Sequence, residues 1–243
     1  MSSPTQSIRE IVRTHPSTAR IFHRFDIDLC SEGDRSLAEA CADQQLSLDQ
    51  VLEKLADAEA EETGSSSFDP AALSLGKLIQ HVVRVHHHCI RQELPRLAEM
   101  ARKLAIKRRD QIPDLERIAE LIEQLRGDLF AHIKKEEETL FPFIAQMDQD
   151  SIVAYPPAHA CFRSVEQPVS KMVQQHEDAS HIVFELYRLT GGFVPPTSAC
   201  ATHFALLDGL RAFTTDLKEH VHTENDLLFP RAIEMEAVLN SRR

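Results

Sequence analysis

Two short stretches of this chain carry the same chemistry. His132 and Glu136 stand four residues apart, as do His220 and Glu224, and the second pair repeats the first at an offset of 88 residues. The surroundings repeat too: Leu129, Leu140, Phe141 and Pro142 match Leu217, Leu228, Phe229 and Pro230, and Asp128 matches Asp216. A single His-x-x-x-Glu is weak evidence, because polar residues at i and i+4 meet on many solvated helix faces. What separates a site from a solvated face is phase. Ile118, Ile122, Leu125 and Leu129 form an apolar stripe at helical spacing, and His132 and Glu136 occupy its next two positions before Leu140 resumes it. Leu206, Leu210, Phe213, Leu217, His220, Glu224 and Leu228 do the same. These polar residues therefore interrupt faces that must point into a core. A buried carboxylate there needs a proton, a paired cation or a metal ion, and two facing pairs point to metal.

Two further histidines are in core phase. His176 lies on the stripe of Val169, Met172, Val173, Ala179 and Val183, whereas His181 falls off it. Within His86-His87-His88, His87 is in line with Ile79, Val83, Ile90 and Leu94, His86 is close behind, and His88 shares a face with Arg84 and Arg91. The inward set is His87, His132, Glu136, His176, His220 and Glu224. Four imidazoles and two carboxylates exceed one tetrahedral zinc and suit two ions bridged by the carboxylates, with iron favoured and manganese second. Ferritin-like di-iron bundles use Glu-x-x-His and more carboxylates than imidazoles, so the order here marks a different bundle. Such a centre leaves room for oxygen, nitric oxide or an oxo bridge. Asp128 and Asp216 each stand one turn before an inward His, where a carboxylate either holds an imidazole or lies in solvent.

The elements that must position this set are four long amphipathic helices, expected near residues 73–108, 114–147, 168–190 and 198–239. Pro113, Tyr155-Pro156-Pro157 with Pro168, and Gly191-Gly192-Phe193-Val194-Pro195-Pro196 separate them. The fold expected is all-α, an up-down four-helix bundle over residues 73–243. Ahead of it, residues 1–62 read as a small domain of short helices, with capping boxes at Ser36 to Glu39 and Ser47 to Gln50, a loop from Asp26 to Asp34, and a linker at 63–72. A piece of that size is expected to dock on another surface or to form a homodimer.

Composition narrows the function classes. Scarce strand formers against abundant Ala, Leu, Glu, Gln, Arg and Lys exclude a β-rich fold. A formal charge of −11, from 27 basic and 38 acidic residues, argues against nucleic acid and anionic membranes as partners, with Lys103 to Arg109 the single basic stretch. The longest run without Asp, Glu, Lys or Arg, Leu189 to Leu207, holds Gly191, Gly192, Pro195, Pro196 and His203, so no membrane-spanning helix is expected. Arg9, Glu10, Arg13, Arg20, Arg24, Asp26 and Asp28 break any signal-peptide core, and five dispersed cysteines (30, 41, 89, 161, 200) without a CxxC fit reduced thiols in the cytoplasm. No glycine-rich loop for a flavin or a dinucleotide is present.

The two His-x-x-x-Glu repeats, Val85-His86-His87-His88 leading to Arg91-Gln92-Glu93-Leu94-Pro95, and His176-Glu177-Asp178-Ala179 resemble the haemerythrin-like repair-of-iron-centres family of the YtfE/ScdA type. Ile8-Arg9-Glu10-Ile11-Val12 through Phe25-Asp26-Ile27-Asp28-Leu29-Cys30 is similar to the small helical domain that precedes the bundle in that family. The resemblance implies a haemerythrin-like bundle with a non-haem, oxo-bridged centre of two iron ions. His87 and His132 would be on one iron, His176 and His220 on the other, with Glu136 and Glu224 bridging. It further implies a cytoplasmic stress-response protein that restores iron–sulfur clusters damaged by nitric oxide or oxidants by supplying iron, with damaged or apo iron–sulfur proteins as partners. Family members usually carry adjacent cysteines in the N-terminal loop, whereas this chain reads Cys30-Ser31-Glu32-Gly33 and lacks the second thiol. Two other readings fit the same residues: a module that binds or senses oxygen or nitric oxide, and a di-iron enzyme that reduces nitric oxide.

Overall fold

Capping chemistry sets the first helices. In the computed structural model, which describes residues 2–15, 18–25, 27, 32–61, 70–108, 111–112, 114–149, 164–197 and 199–241, α1 (Ile8–Thr14) and α3 (Leu37–Asp43) both open on a serine capping box. Ser36 pairs with Glu39 as its sequence predicts, and Ser7 pairs with Glu10 in the same way. At Ser47 only half of the box forms, the Gln50 amide reaching the Ser47 hydroxyl at 3.5 Å. Helices α2 (Ala19–Arg24) and α4 (Leu48–Glu61) complete the group, α4 packing on α2 and α3. Ile8, Ile11, Phe22, Leu37, Val51 and Leu55 are buried. The remaining order is α5 (Leu75–Val82), α6 (His88–Arg108), α7 (Leu115–Lys135), α8 (Phe141–Gln149), α9 (Glu166–Leu189), α10 (Ala201–His222) and α11 (Phe229–Ser241). Short π-helical segments, Val83–His87, Glu136–Leu140 and Thr223–Leu228, join α5 to α6, α7 to α8 and α10 to α11. The four long helical runs expected from periodicity are thus present, three of them with a widened turn inside.

The fold is all-α, and no strand occurs among the described residues beyond one isolated bridge between Ser7 and Ser36. Pro168 does not precede the third run but lies in the first turn of α9, where a missing N–H costs nothing. Most of the linker at 63–72, most of the Asp26 to Asp34 loop, Cys30, Cys161, Pro113 and Tyr155-Pro156-Pro157 lie outside the described residues. By contact density the chain forms two compact units, Met1–Ser67 with Pro95–Ile122 and Tyr187–Ala212, and Phe68–Leu94 with Glu123–Leu186 and Phe213–Arg243. In the first of these, Gly191 and Gly192 take positive φ (62° and 84°) and end α9, with the Gly192 amide on the Tyr187 carbonyl at 2.8 Å. Gly209 there lets α10 approach α6, since a Cβ on it would stand 2.7 Å from Leu97 Cδ2.

The second unit holds the four-helix core. One apolar cluster joins Leu75, Leu78 and Val82 from the start of the first run, Leu140, Phe141 and Ile144 from the end of the second, Val165 and Val169 from the start of the third, and Leu228 and Phe229 from the end of the fourth. Starts and ends alternate around one cluster, so the runs alternate in direction, up and down. No described helix is long and apolar enough to cross a membrane.

Glu236 closes this end of the core. Buried on α11, it accepts the Val165 amide at 3.0 and 3.2 Å and the Ser164 hydroxyl at 2.7 Å, which places a carboxylate at the amino end of α9. Glu236→Ala leaves a buried amide without its acceptor and is expected to cost about 1–3 kcal/mol in chemical denaturation. Glu236→Gln, which keeps an acceptor, is expected to cost less.

Candidate metal centre

Helical phase carries all six inward residues into the second unit, and none is more than 1% exposed: His87, His132, Glu136, His176, His220 and Glu224. His87 ends the first π segment, His132 and His220 lie on α7 and α10, His176 lies on α9, and the two glutamates belong to the other π segments. There the chain departs from α-helix. The Phe141 amide bonds the Glu136 carbonyl and the Phe229 amide bonds the Glu224 carbonyl, five residues back instead of four. Proline follows at once, at 142 and at 230. Each has no N–H and would crowd the carbonyl four residues before it, at Glu138 and Asp226, and a widened turn relieves that clash. The repeated Leu-Phe-Pro is thereby explained as the local device that opens the turn carrying the carboxylate. The segment at Val83–His87 has no proline directly behind it.

The inward atoms converge. Glu136 Oε2 lies 3.3 Å from both His87 Nε2 and His132 Nε2. Glu224 Oε1 lies 3.0 Å from His220 Nε2 and 3.7 Å from His87 Nε2, and Glu224 Oε2 lies 3.2 Å from His176 Nε2. Two sets of four donor atoms fall within 4.8 Å of one another: His132, His176, His220 and Glu224, and His87, Glu136, His220 and Glu224. The closest rings are His132 with His176, 4.6 Å between centroids, and His87 with His220, at 5.2 Å. The shared carboxylates follow the pairing that the resemblance implies, Glu136 between His87 and His132 and Glu224 between His176 and His220, whereas the nearest rings join the helices the other way.

An outer layer turns three of the rings. His87 Nδ1 lies 2.7 Å from Glu137 Oε1, His132 Nδ1 3.0 Å from Gln175 Oε1, and His176 Nδ1 2.9 Å from Asn225 Oδ1. Each oxygen accepts, so each Nδ1 carries a proton and each Nε2 is turned to the centre, where a metal ion can take it up. His132 Nε2 and His176 Nε2 then face one another at 3.0 Å, an arrangement that repels unless a proton or a metal ion lies between them. His87 Nε2, both ring nitrogens of His220, and both oxygens of Glu136 and of Glu224 are buried without a hydrogen-bond partner. Polar atoms so placed are costly unless a ligand uses them, and a nitrogen and oxygen donor set of this kind fits a transition-metal ion. Electrostatics agrees. Burial works against a charged His87, but Glu136 and Glu224 outweigh it and push its pKa up from 6.5 to about 10. Burial likewise opposes a charged Glu224, yet His220, His176 and His87 hold it well below the usual carboxylate range. This pocket attracts positive charge.

The residues set aside by phase stay aside. His88 and His181 are exposed, as is Asp128. Asp216 does hold an imidazole, but that of His86, with Nδ1 at 3.0 Å, rather than that of His220. Phase alone misses Glu137, Gln175, Asn225 and Arg91, whose Nη2 reaches Glu137 Oε2 at 2.7 Å. The repeat contains a signal for two of them. Glu137 and Asn225 are themselves 88 residues apart, each directly after the inward glutamate, and both are polar.

Loss of either carboxylate, Glu136→Ala or Glu224→Ala, is expected to weaken metal retention by at least about tenfold, while His88→Ala and His181→Ala leave metal content unchanged in elemental analysis. A second expectation concerns pH. In metal-free protein the raised pKa of His87 stabilises the fold fully below pH 6.5, and that contribution is lost as pH rises through about 10. The melting temperature of chelator-stripped protein should therefore fall across that range, and metal loading, which takes up the nitrogen, should remove this dependence and release protons.

Comparison with known proteins agrees with this geometry. Residues 78–232 match the haemerythrin HHE cation binding domain, and residues 4–59 match ScdA_N, a domain of unknown function. The iron-sulfur cluster repair protein YtfE of Pectobacterium atrosepticum is 33% identical over 236 residues, 96% of this chain and 99% of the relative. That of Dickeya chrysanthemi is 31% identical, over 94% of this chain and 96% of the relative. A probable iron-sulfur cluster repair protein of Haemophilus influenzae is 28% identical, over 96% and 99%. With a domain match across more than half of its length and such relatives along nearly all of it, the chain belongs to the haemerythrin HHE cation-binding family and, within it, to the YtfE type.

Proposed function

We propose that this chain is a non-haem di-iron protein that restores iron–sulfur clusters damaged by nitric oxide or oxidation, by supplying iron to them. The observation that carries the reading is the buried set of four imidazoles and two carboxylates whose inward atoms have no other partner. His132 and His176 would hold one ion and His87 and His220 the other, following the closest rings, with Glu136 and Glu224 shared between them. Nitrogen and oxygen donors without an inward thiolate favour iron over softer metals. Two iron ions held by these residues would supply redox-active metal chemistry, with oxygen, nitric oxide or an oxo bridge as small ligands. The residues supply the rest. Glu136 and Glu224 offset the cationic charge, and Glu137, Gln175 and Asn225 keep three imidazoles turned inward. The names of the relatives, iron-sulfur cluster repair proteins, support the same reading. Damaged or apo iron–sulfur proteins in the cytoplasm would be the recipients.

The test pairs metal analysis of protein purified without added metal with its visible spectrum before and after anaerobic reduction, followed by incubation with a nitric oxide-damaged cluster enzyme. Two irons per chain, a ferric band that bleaches on reduction, and reactivation that needs the iron-loaded protein are the expected results. One zinc per chain would overturn the di-iron reading. Reversible oxygen binding without reactivation would replace repair with ligand carriage.

A further inference from the structure

Of the four imidazoles in the centre, His220 alone has no side-chain oxygen on Nδ1, and both of its ring nitrogens are buried without a hydrogen-bond partner. What covers it is another imidazole. His86, also buried, stacks on His220 with 5.7 Å between centroids and 17° between planes. His86 Nδ1 lies 3.0 Å from Asp216 Oδ1, and the other oxygen of that carboxylate, Oδ2, is buried without a partner. Beyond His86 comes His81, edge-on with 5.5 Å between centroids. The two are five residues apart across the π segment Val83–His87, where a widened turn brings residues of that spacing one above the other. His81 is half-buried and lines a surface groove of about 340 Å³ together with Lys77 and Arg84. Three imidazoles and one carboxylate thus lead from the centre to solvent.

The other sides of the centre are built differently among the described residues. Behind His87, Glu137 is neutralised by Arg91, and behind His132 and His176 stand the amides of Gln175 and Asn225. Both oxygens of Glu137 are engaged, by His87 and Arg91, and an amide holds a cation weakly, whereas imidazole and carboxylate are ordinary ligands of ferrous iron. We infer that His86, Asp216 and His81 form a transit site for a divalent cation, through which the ion held by His87 and His220 leaves the centre by ligand exchange, with no change of oxidation state. The inference rests on the di-iron reading and adds which ion is labile and by which side it leaves. Lys77 and Arg84 flank the groove, so the acceptor that meets the ion there carries negative charge.

The experiment mixes ferrous-loaded protein anaerobically with a sulfonated, anionic ferrous chelator and follows iron release with time. Wild-type protein should release one ion per chain in a fast phase and the second slowly. Asp216→Asn and His81→Ala should each still bind two ions and keep the slow phase, while the fast phase slows by at least about tenfold. His181→Ala, on an exposed face, should release as the wild type does. A wild-type protein that holds two ions and loses both in one phase, or variants that release at the wild-type rate, would overturn the route. A chain that binds no iron fails the di-iron reading itself, and the route falls with it.

Discussion

Two carboxylates buried among apolar side chains are the constraint on which the rest of this structure depends. Glu136 and Glu224 are fully buried, and neither has a hydrogen-bond partner for its oxygens. Ionised groups in that position are tolerable only when positive charge stands beside them, and His87 and His132 supply it only in part, by drawing in protons. His87, held up to about 10, and Glu224, held well below the usual carboxylate range, are two expressions of that one imbalance. Metal ions resolve it more completely, because they satisfy lone pairs on nitrogen and oxygen together. The folding of the bundle and the binding of metal are therefore coupled.

The helices meet this constraint by departing from α geometry where the ligands lie. An unbroken α-helix repeats every 3.6 residues, so the stripe that carries Leu125, Leu129, His132 and Glu136 inward drifts if it runs on. The π turns at Glu136–Leu140 and Thr223–Leu228 reset the phase, and Phe141 and Phe229, behind them, return to the core. The same two aromatics stack on the rings of the centre, Phe141 on His87 and Phe229 on His176. One local sequence, Leu-Phe-Pro, thus widens the turn, restores the apolar face and walls the imidazoles.

The two halves of the repeat are alike in what faces the centre and unlike in what faces away from it. Glu137 and Asn225 occupy equivalent positions and hold equivalent ring nitrogens, yet one is an anion locked by Arg91 and the other a neutral amide. A carboxylate makes the imidazole it holds a stronger donor than an amide does. The surroundings of the two halves are consequently not equivalent, even though the inward residues match in kind.

How much of this was legible beforehand follows from the range of each interaction. The inward set His87, His132, Glu136, His176, His220 and Glu224 can be read from the chain because helical phase is local: a residue's face follows from neighbours three and four positions away. The all-α class and the long runs are legible for the same reason, and Pro142 and Pro230 mark where two of those runs must widen. Which imidazole lies beside which, and which oxygen turns each ring, depends on side chains 43 to 50 residues apart. His86 looks in sequence like a neighbour of His87 and no more, yet a π turn and the packing of α10 place it on His220 with Asp216 beside it. Sequence by itself determined the helices and the chemistry they point inward, since both are set within a few turns of chain. Only the tertiary structure decided which rings lie nearest one another and the asymmetry around them, since both depend on how separate helices meet.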